Sequence, residues 1–335
     1  MTKNLLMACA AAVLTAPMLT ACGGDDGPFI TVYNAQHEEL ISEIAPLFEE
    51  ETGIEVKLRS GDDLELANQL VQEGDASPAD VFLTENSPAM SLVDNAGLFT
   101  KVDQETLDLI PPDYVPADDN WIGFMGRSTV AMYNEDVLTG DEMPDSILDF
   151  ADPEWAGRIS YSPTGADFQA IVSAVLELEG EEATREWLSG LADNGIEYDG
   201  NDVVMESVNS GEVDAGIAYH YYWYRDQKES GDHSDNTRLH WFGNQDPGAF
   251  VSVSGAGVLA SSDKQTDAQK FVNFLADAQG QQAIADSYAL EYPLNPEVSL
   301  DPPVRPFSEL EPPLVDVATL NSEPVTELMQ EEGLL

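Results

Sequence analysis

The most unusual segment of the chain is Tyr219-His220-Tyr221-Tyr222-Trp223-Tyr224-Arg225. A phenol ordinarily loses its proton near pH 10, so a pair of tyrosines does little at neutral pH unless something removes those protons. Aromatic runs also build cores and interfaces, and the residue types alone leave both uses open. Two further side chains carry similar ambiguity. His37 reads equally as a solvated or capping histidine, and Glu85 as a helix-start carboxylate beside Asn86-Ser87-Pro88. Standard catalytic signatures are missing. His37-Glu38-Glu39-Leu40-Ile41 begins like a zincin helix, but Ile41 stands where the second histidine belongs. The sequence contains no Gly-x-Ser-x-Gly elbow, P-loop or dinucleotide glycine fingerprint.

Using both tyrosines together restricts the backbone. In a strand Tyr221 and Tyr222 would face opposite ways, so joint use requires a turn or a helix start. Asn209-Ser210-Gly211 reads as a turn before an apolar strand reaching Ala218, which predicts aromatics at a strand's carboxyl end, entering a helix. The rest of the chain has α/β rhythm. A strand over Phe29–Val32 precedes a helix over Glu38–Glu51, whose apolar Leu40, Ile41, Ile44 and Leu47-Phe48 share one face. A strand at Ile54–Leu58, a helix at Leu64–Gln72 and a strand at Asp80–Leu83 follow. Further along, the pattern predicts a strand at Ile159–Tyr161, helices near Phe168–Leu178 and Glu182–Leu191, and late helices at Asp267–Ala276 and Glu323–Glu332. Repeated βαβ units imply parallel strands with ligands at their carboxyl ends. At 335 residues, two α/β lobes around a cleft is the economical arrangement.

Composition narrows the partners. Against 63 Asp and Glu stand 13 Lys and Arg, a formal charge of −50. A field of that sign repels nucleic acid and anionic lipid. The leader Leu5–Leu19 is apolar but shorter than the ~18–20 residues of a membrane span, and Pro17 interrupts it. Leu19-Thr20-Ala21-Cys22 then resembles a lipobox, which predicts a signal peptide over 1–21 and a lipidated Cys22 with a linker over 22–28. Of the two cysteines, Cys9 would leave with the leader, so no disulfide is expected in the mature domain.

Five short motifs in order carry a resemblance to the periplasmic ferric-iron-binding proteins of ABC importers. They are Tyr33-Asn34-Ala35-Gln36-His37-Glu38, Pro78-Ala79-Asp80-Val81-Phe82-Leu83-Thr84-Glu85, Tyr221-Tyr222-Trp223-Tyr224, Gln245-Asp246-Pro247-Gly248-Ala249 with Ser254-Gly255-Ala256, and Glu291-Tyr292-Pro293-Leu294. The resemblance covers residues 29–335 and implies a two-lobe type II periplasmic-binding-protein fold, transferrin-like, with a central cleft. Lobe 1 is expected over 29–128 plus 252–302, and lobe 2 over 129–251 plus 303–335, with hinge strands near Arg127–Ala131 and Val251–Ser254. It further implies no enzymatic activity, capture of Fe(III) by His37, Glu85, Tyr221 and Tyr222, and a synergistic anion, phosphate or carbonate. The anion contacts implied are Thr164, Gly165, Ala166, Asn201 and Asn86. Tyr219 and His220, where the family often has Asn, are implied as supporting partners of the site, with His220 an alternative ligand. Delivery to an ABC permease and its ATPase, a monomeric state and an extracytoplasmic, lipid-anchored location complete the expectation. The chemistry agrees, since Fe(III) is a hard acid preferring anionic oxygen and tolerating imidazole. Two rivals remain at this point: a protein of the same fold for phosphate, a polyamine or thiamine, and a secreted metal-dependent hydrolase.

Acidity spread over the whole chain, in runs such as Glu49-Glu50-Glu51 and Asp118-Asp119, predicts a salt-adapted surface. The thermal unfolding midpoint should rise from low to molar NaCl; a flat profile contradicts that reading.

Overall fold

The computed structural model describes residues 27–301 and 303–335; the expected leader and Cys22 lie outside the described residues. The strands are β1 (Phe29–Asn34), β2 (Glu55–Ser60), β3 (Val81–Leu83), β4 (Phe99–Thr100), β5 (Trp121–Asn134), β6 (Ile159–Tyr161), β7 (Ile196–Glu197), β8 (Ala215–Tyr219), β9 (Thr237–His240), β10 (Val251–Leu259) and β11 (Tyr292–Pro293). The helices are α1 (Glu38–Thr52), α2 (Asp63–Glu73), α3 (Ser87–Asn95), α4 (Gln104–Leu107), α5 (Ala166–Asn194), α6 (Asn201–Asn209), α7 (His220–Glu229), α8 (Gln265–Ala276), α9 (Ala278–Asp286) and α10 (Ser322–Glu331). No described helix is long and apolar enough to cross a membrane.

Hydrogen bonding runs continuously in the order β2-β1-β3-β10-β5-β8-β6-β7. Parallel pairs form its two ends, β1 with β2 and β3, and β6 with β7 and β8. The middle is antiparallel, and β5 links the halves. Its first part, through Ser128, pairs with β10, whereas Thr129–Asn134 pair with β8 and β9. Two separate cores follow from this arrangement. Trp121, Ile122, Phe124 and Met125 of β5 pack with β1, β3, α1 and α8. Ala131 instead joins Tyr161, Phe168, Trp187 and the α10 residues Val325, Leu328 and Met329. The tail divides between them, since Val317 packs in the first core before α10 enters the second.

Local chemistry explains the elements that matter to the cleft. Leu40, Ile41, Ile44 and Phe48 are buried against the sheet, whereas Leu47, expected on the same face, is exposed. Gly53 ends α1 in the left-handed region (φ 70°) with its N–H on the Glu49 carbonyl. The two helices expected between Phe168 and Leu191 form one run broken at Gly180, whose φ of 81° suits a residue without a Cβ. The aromatic segment divides as the turn argument requires, with Tyr219 closing β8 and His220 opening α7.

Gly255 sits at a register shift in β10 beneath α3; its carbonyl accepts the Thr84 N–H at 3.0 Å, and its own N–H donates to Thr84 Oγ1. A Cβ there would drive into buried Met90 and approach Thr84 Oγ1 at 3.1 Å. Gly255→Ala is therefore expected to cost about 1–3 kcal/mol in urea denaturation, the usual price of overpacking; an unchanged midpoint contradicts this packing.

Candidate metal centre

Every candidate side chain leaves the carboxyl end of a parallel strand. His37 follows β1, Glu85 and Asn86 follow β3, Thr164–Asp167 follow β6, Asn201 follows β7, and Tyr221 and Tyr222 follow β8. In parallel sheets, helix N-termini gather at that edge and make it a natural binding crevice. Asp63, in the first turn of α2, holds the β3–α3 connection: its carboxylate accepts the backbone N–H groups of Glu85 (2.9 Å) and Asn86 (3.0 Å). Burial and the neighbouring Glu85 push the Asp63 carboxyl well above the usual carboxylate range.

On the first-core side, His37 Nδ1 lies 2.7 Å from Glu85 Oε1, with 23% and 21% of the two side chains exposed, so both reach the cleft mouth. Burial opposes ionisation of each. The pairing outweighs it, raising His37 above and holding Glu85 below their ordinary values, with Arg127 assisting Glu85. His37 Nε2 faces Glu291 Oε1 at 3.8 Å, and neither atom has a hydrogen-bond partner. A cation is the kind of group that satisfies such atoms.

On the second-core side, Tyr221 and Tyr222 stack with ring centroids 4.3 Å apart. Their hydroxyls converge on one oxygen, Oδ2 of Asp167, at 3.4 and 3.1 Å. Asn201 donates to that same oxygen at 3.0 Å, and Asn86 to Oδ1 at 3.2 Å. Two of the residues expected to hold an anion therefore hold a carboxylate of the protein itself, at the N-terminal turn of α5. Thr164 is exposed, while Gly165 precedes the helix as its cap without a side-chain oxygen and Ala166 starts it. Burial, then the Asp167 charge, pushes all three phenols of Tyr219, Tyr221 and Tyr222 well above their ordinary value. They stand as neutral donors.

Arg127 lies between the two groups, fully buried on β5. Its guanidinium is 2.7 Å from Glu291, 3.5 Å from Asp167 and 3.6 Å from Glu85, and donates to Ser254 Oγ at 3.1 Å. Glu291 above all, helped by Glu85 and Asp167, holds it charged against the cost of burial. Tyr219 bridges Asn86 and the Asp167 carbonyl through its hydroxyl.

His220 is differently engaged. Its Nδ1 accepts the Ser128 N–H at 3.2 Å, Nε2 faces the Leu290 carbonyl at 3.1 Å, and the ring stacks on Tyr292 at 4.5 Å. Those partners assign the neutral, Nε2-protonated tautomer, and burial pushes its pKa down to about 3. Both nitrogens are taken by backbone, which leaves none for a ligand. Sequence reasoning stopped one residue short of Asp167 and passed over Arg127; a carboxylate in the first turn of a helix after a parallel strand was the available signal for the former. Among the described residues, no three His, Cys, Asp or Glu side chains form a metal cluster alone, so any hard-metal site here depends on the phenols.

Comparison with known proteins bears on this donor set. Residues 76–309 match the family of bacterial extracellular solute-binding proteins. The chain is 51% identical over 329 residues to the Fe(3+)-binding periplasmic protein of Serratia marcescens, covering 97% of each. To the major ferric iron-binding protein of Neisseria meningitidis serogroup B it is 39% identical over 301 residues, 89% of this chain and 85% of that one. Iron-bound HitA from Pseudomonas aeruginosa matches with a TM-score of 0.86 at 42% identity, over 92% of this chain and 100% of that one. The fold is the two-lobe type II periplasmic-binding-protein architecture. These relatives are binding proteins, which removes the hydrolase reading. The chain belongs to the bacterial extracellular solute-binding proteins and, within them, to the periplasmic ferric-iron-binding family.

Proposed function

We propose that this protein captures Fe(III) outside the cytoplasmic membrane, through His37, Glu85, Tyr221, Tyr222 and Asp167, and presents it to an ABC permease and its ATPase. The observation that carries this reading is the convergence of two phenol hydroxyls on one buried carboxylate oxygen, opposite a His–Glu pair. A trivalent ion at bonding distance would expel the phenol protons, as metals do from bound water. Two phenolates and two carboxylates then carry four negative charges. Fe(III) matches three, and Arg127, beside both carboxylates, offsets the excess.

Asp167 takes the place expected for an external anion. Phosphate or carbonate would reach Asn86 and Asn201 only by displacing it, so loading should need little of either. The lobes, taken as 29–128 with 252–302 and 129–251 with 303–335, close on the ion by bending where β5 and β10 pass between the cores. Tethering through a lipidated Cys22 and action as a monomer complete the proposal. The names of the Serratia and Neisseria relatives support ferric iron over phosphate, a polyamine or thiamine as cargo.

A visible-absorption titration with Fe(III) tests it. A phenolate-to-iron charge-transfer band should appear in buffer free of phosphate and bicarbonate, and vanish in Tyr221→Phe/Tyr222→Phe. Asp167→Asn should weaken binding by at least the about 10–100-fold that outer-sphere partners are worth, with partial recovery on adding phosphate or bicarbonate. No band in any buffer overturns the ferric reading.

A further inference from the structure

Arg225 is the last residue of the aromatic run and has no part in the centre described above. It lies one helical turn after Tyr221 on α7, so the two side chains share a face. Its guanidinium carbon is 5.8 Å from the Tyr221 ring centroid and 4.9 Å from that of Tyr288. Both distances fall within cation–π range. Tyr221 belongs to the second core, whereas Tyr288 follows α9 and packs against the first. The guanidinium thus spans the two lobes beside a tyrosine of the candidate centre.

The remaining surroundings favour this contact over an ion pair. Arg158, Arg185 and Arg238 each hold a carboxylate. Among the described residues none lies within ion-pair distance of Arg225, although Asp226 and Glu229 are its helix neighbours. Burial, and the charges of Glu39 and Glu43 on α1 and of Glu291 after α9, push the Tyr288 phenol up, while Arg225 opposes them. A cation arriving from the opposite lobe is attracted to that acidic side of the cleft. Both Arg225 and Tyr288 are half-buried, as expected of groups at a cleft mouth.

We propose that Arg225 and Tyr288 form a latch across the cleft mouth, closing over Tyr221 and setting how fast the bound ion leaves. Arg225 is a positioning residue in this role; it touches no donor atom and acts by holding the lobes together. The inference rests on the ferric reading. Opening separates the guanidinium from Tyr288, so the contact exists only in the closed state and its loss should accelerate release without altering the ligands.

The test uses the full chain loaded with Fe(III) and challenged with excess EDTA, following decay of the charge-transfer band. Arg225→Ala and Tyr288→Leu should each raise the release rate about three- to thirty-fold, the range a cation–π contact spans. The band itself should keep its position and intensity. The double variant should release no faster than the quicker single one, and Tyr288→Phe, which keeps a ring, should stay near wild type. Unchanged release rates, or additive effects in the double variant, overturn the latch. So does a shifted band, which would make Arg225 a determinant of the ligands instead. A wild-type chain with no band overturns the ferric reading itself, a result distinct from a normal band with unaltered release.

Discussion

The cleft is organised around one buried cation. Arg127 has no solvent contact, and a charge in that position is costly unless paired and hydrogen-bonded. Glu291 and Ser254 satisfy one end of its guanidinium, while Glu85 and Asp167 approach the other. These partners come from the β3–α3 connection, α5, β10 and the segment before β11, so the single side chain ties together elements that pack in both cores. The remaining groups follow from its placement. Asp167 draws the two phenols and two asparagines, and Glu85 draws His37.

What Arg127 leaves unmatched is the functional point. Around it stand Asp63, Glu85, Asp167 and Glu291 with three phenols in a region of low dielectric, where each added negative charge interacts strongly with the others. Burial, together with that excess, pushes the phenols of Tyr221 and Tyr222 and the Asp63 carboxyl well above their ordinary values. A hard, multiply charged cation relieves the excess. Selectivity for such an ion, under the proposed reading, comes from the field of the cleft as much as from donor identity. The overall charge of −50 would extend that attraction into solvent at low ionic strength.

Much of the framework was legible because it rests on local patterns. Apolar spacing marked α1 and α8, Gly53 marked a helix end, and the turn at 209–211 put the tyrosine pair at the start of α7. The strand-end positions of His37, Glu85 and the tyrosines followed from βαβ periodicity. Long-range polar contacts were not legible. Arg127 meets Asp167, Ser254 and Glu291 at separations of 40, 127 and 164 residues, within a strand that has no other charged residue. His220 shows the converse. Its residue type and neighbours suggest a ligand, and only the backbone groups of Ser128 and Leu290 reveal that both nitrogens are engaged. Asp167 was hidden by expectation, because a loop read as an anion cradle does not call for an anion of its own.

The most direct test of the central claim is anomalous diffraction at the iron edge from crystals of the Fe(III)-loaded chain grown without phosphate or carbonate. The predicted result is one strong peak bounded by His37, Glu85, Asp167, Tyr221 and Tyr222, with Arg127 still on Glu291. A peak elsewhere, or a peak in that cleft with Asp167 turned away and an external anion on Asn86 and Asn201, would contradict it.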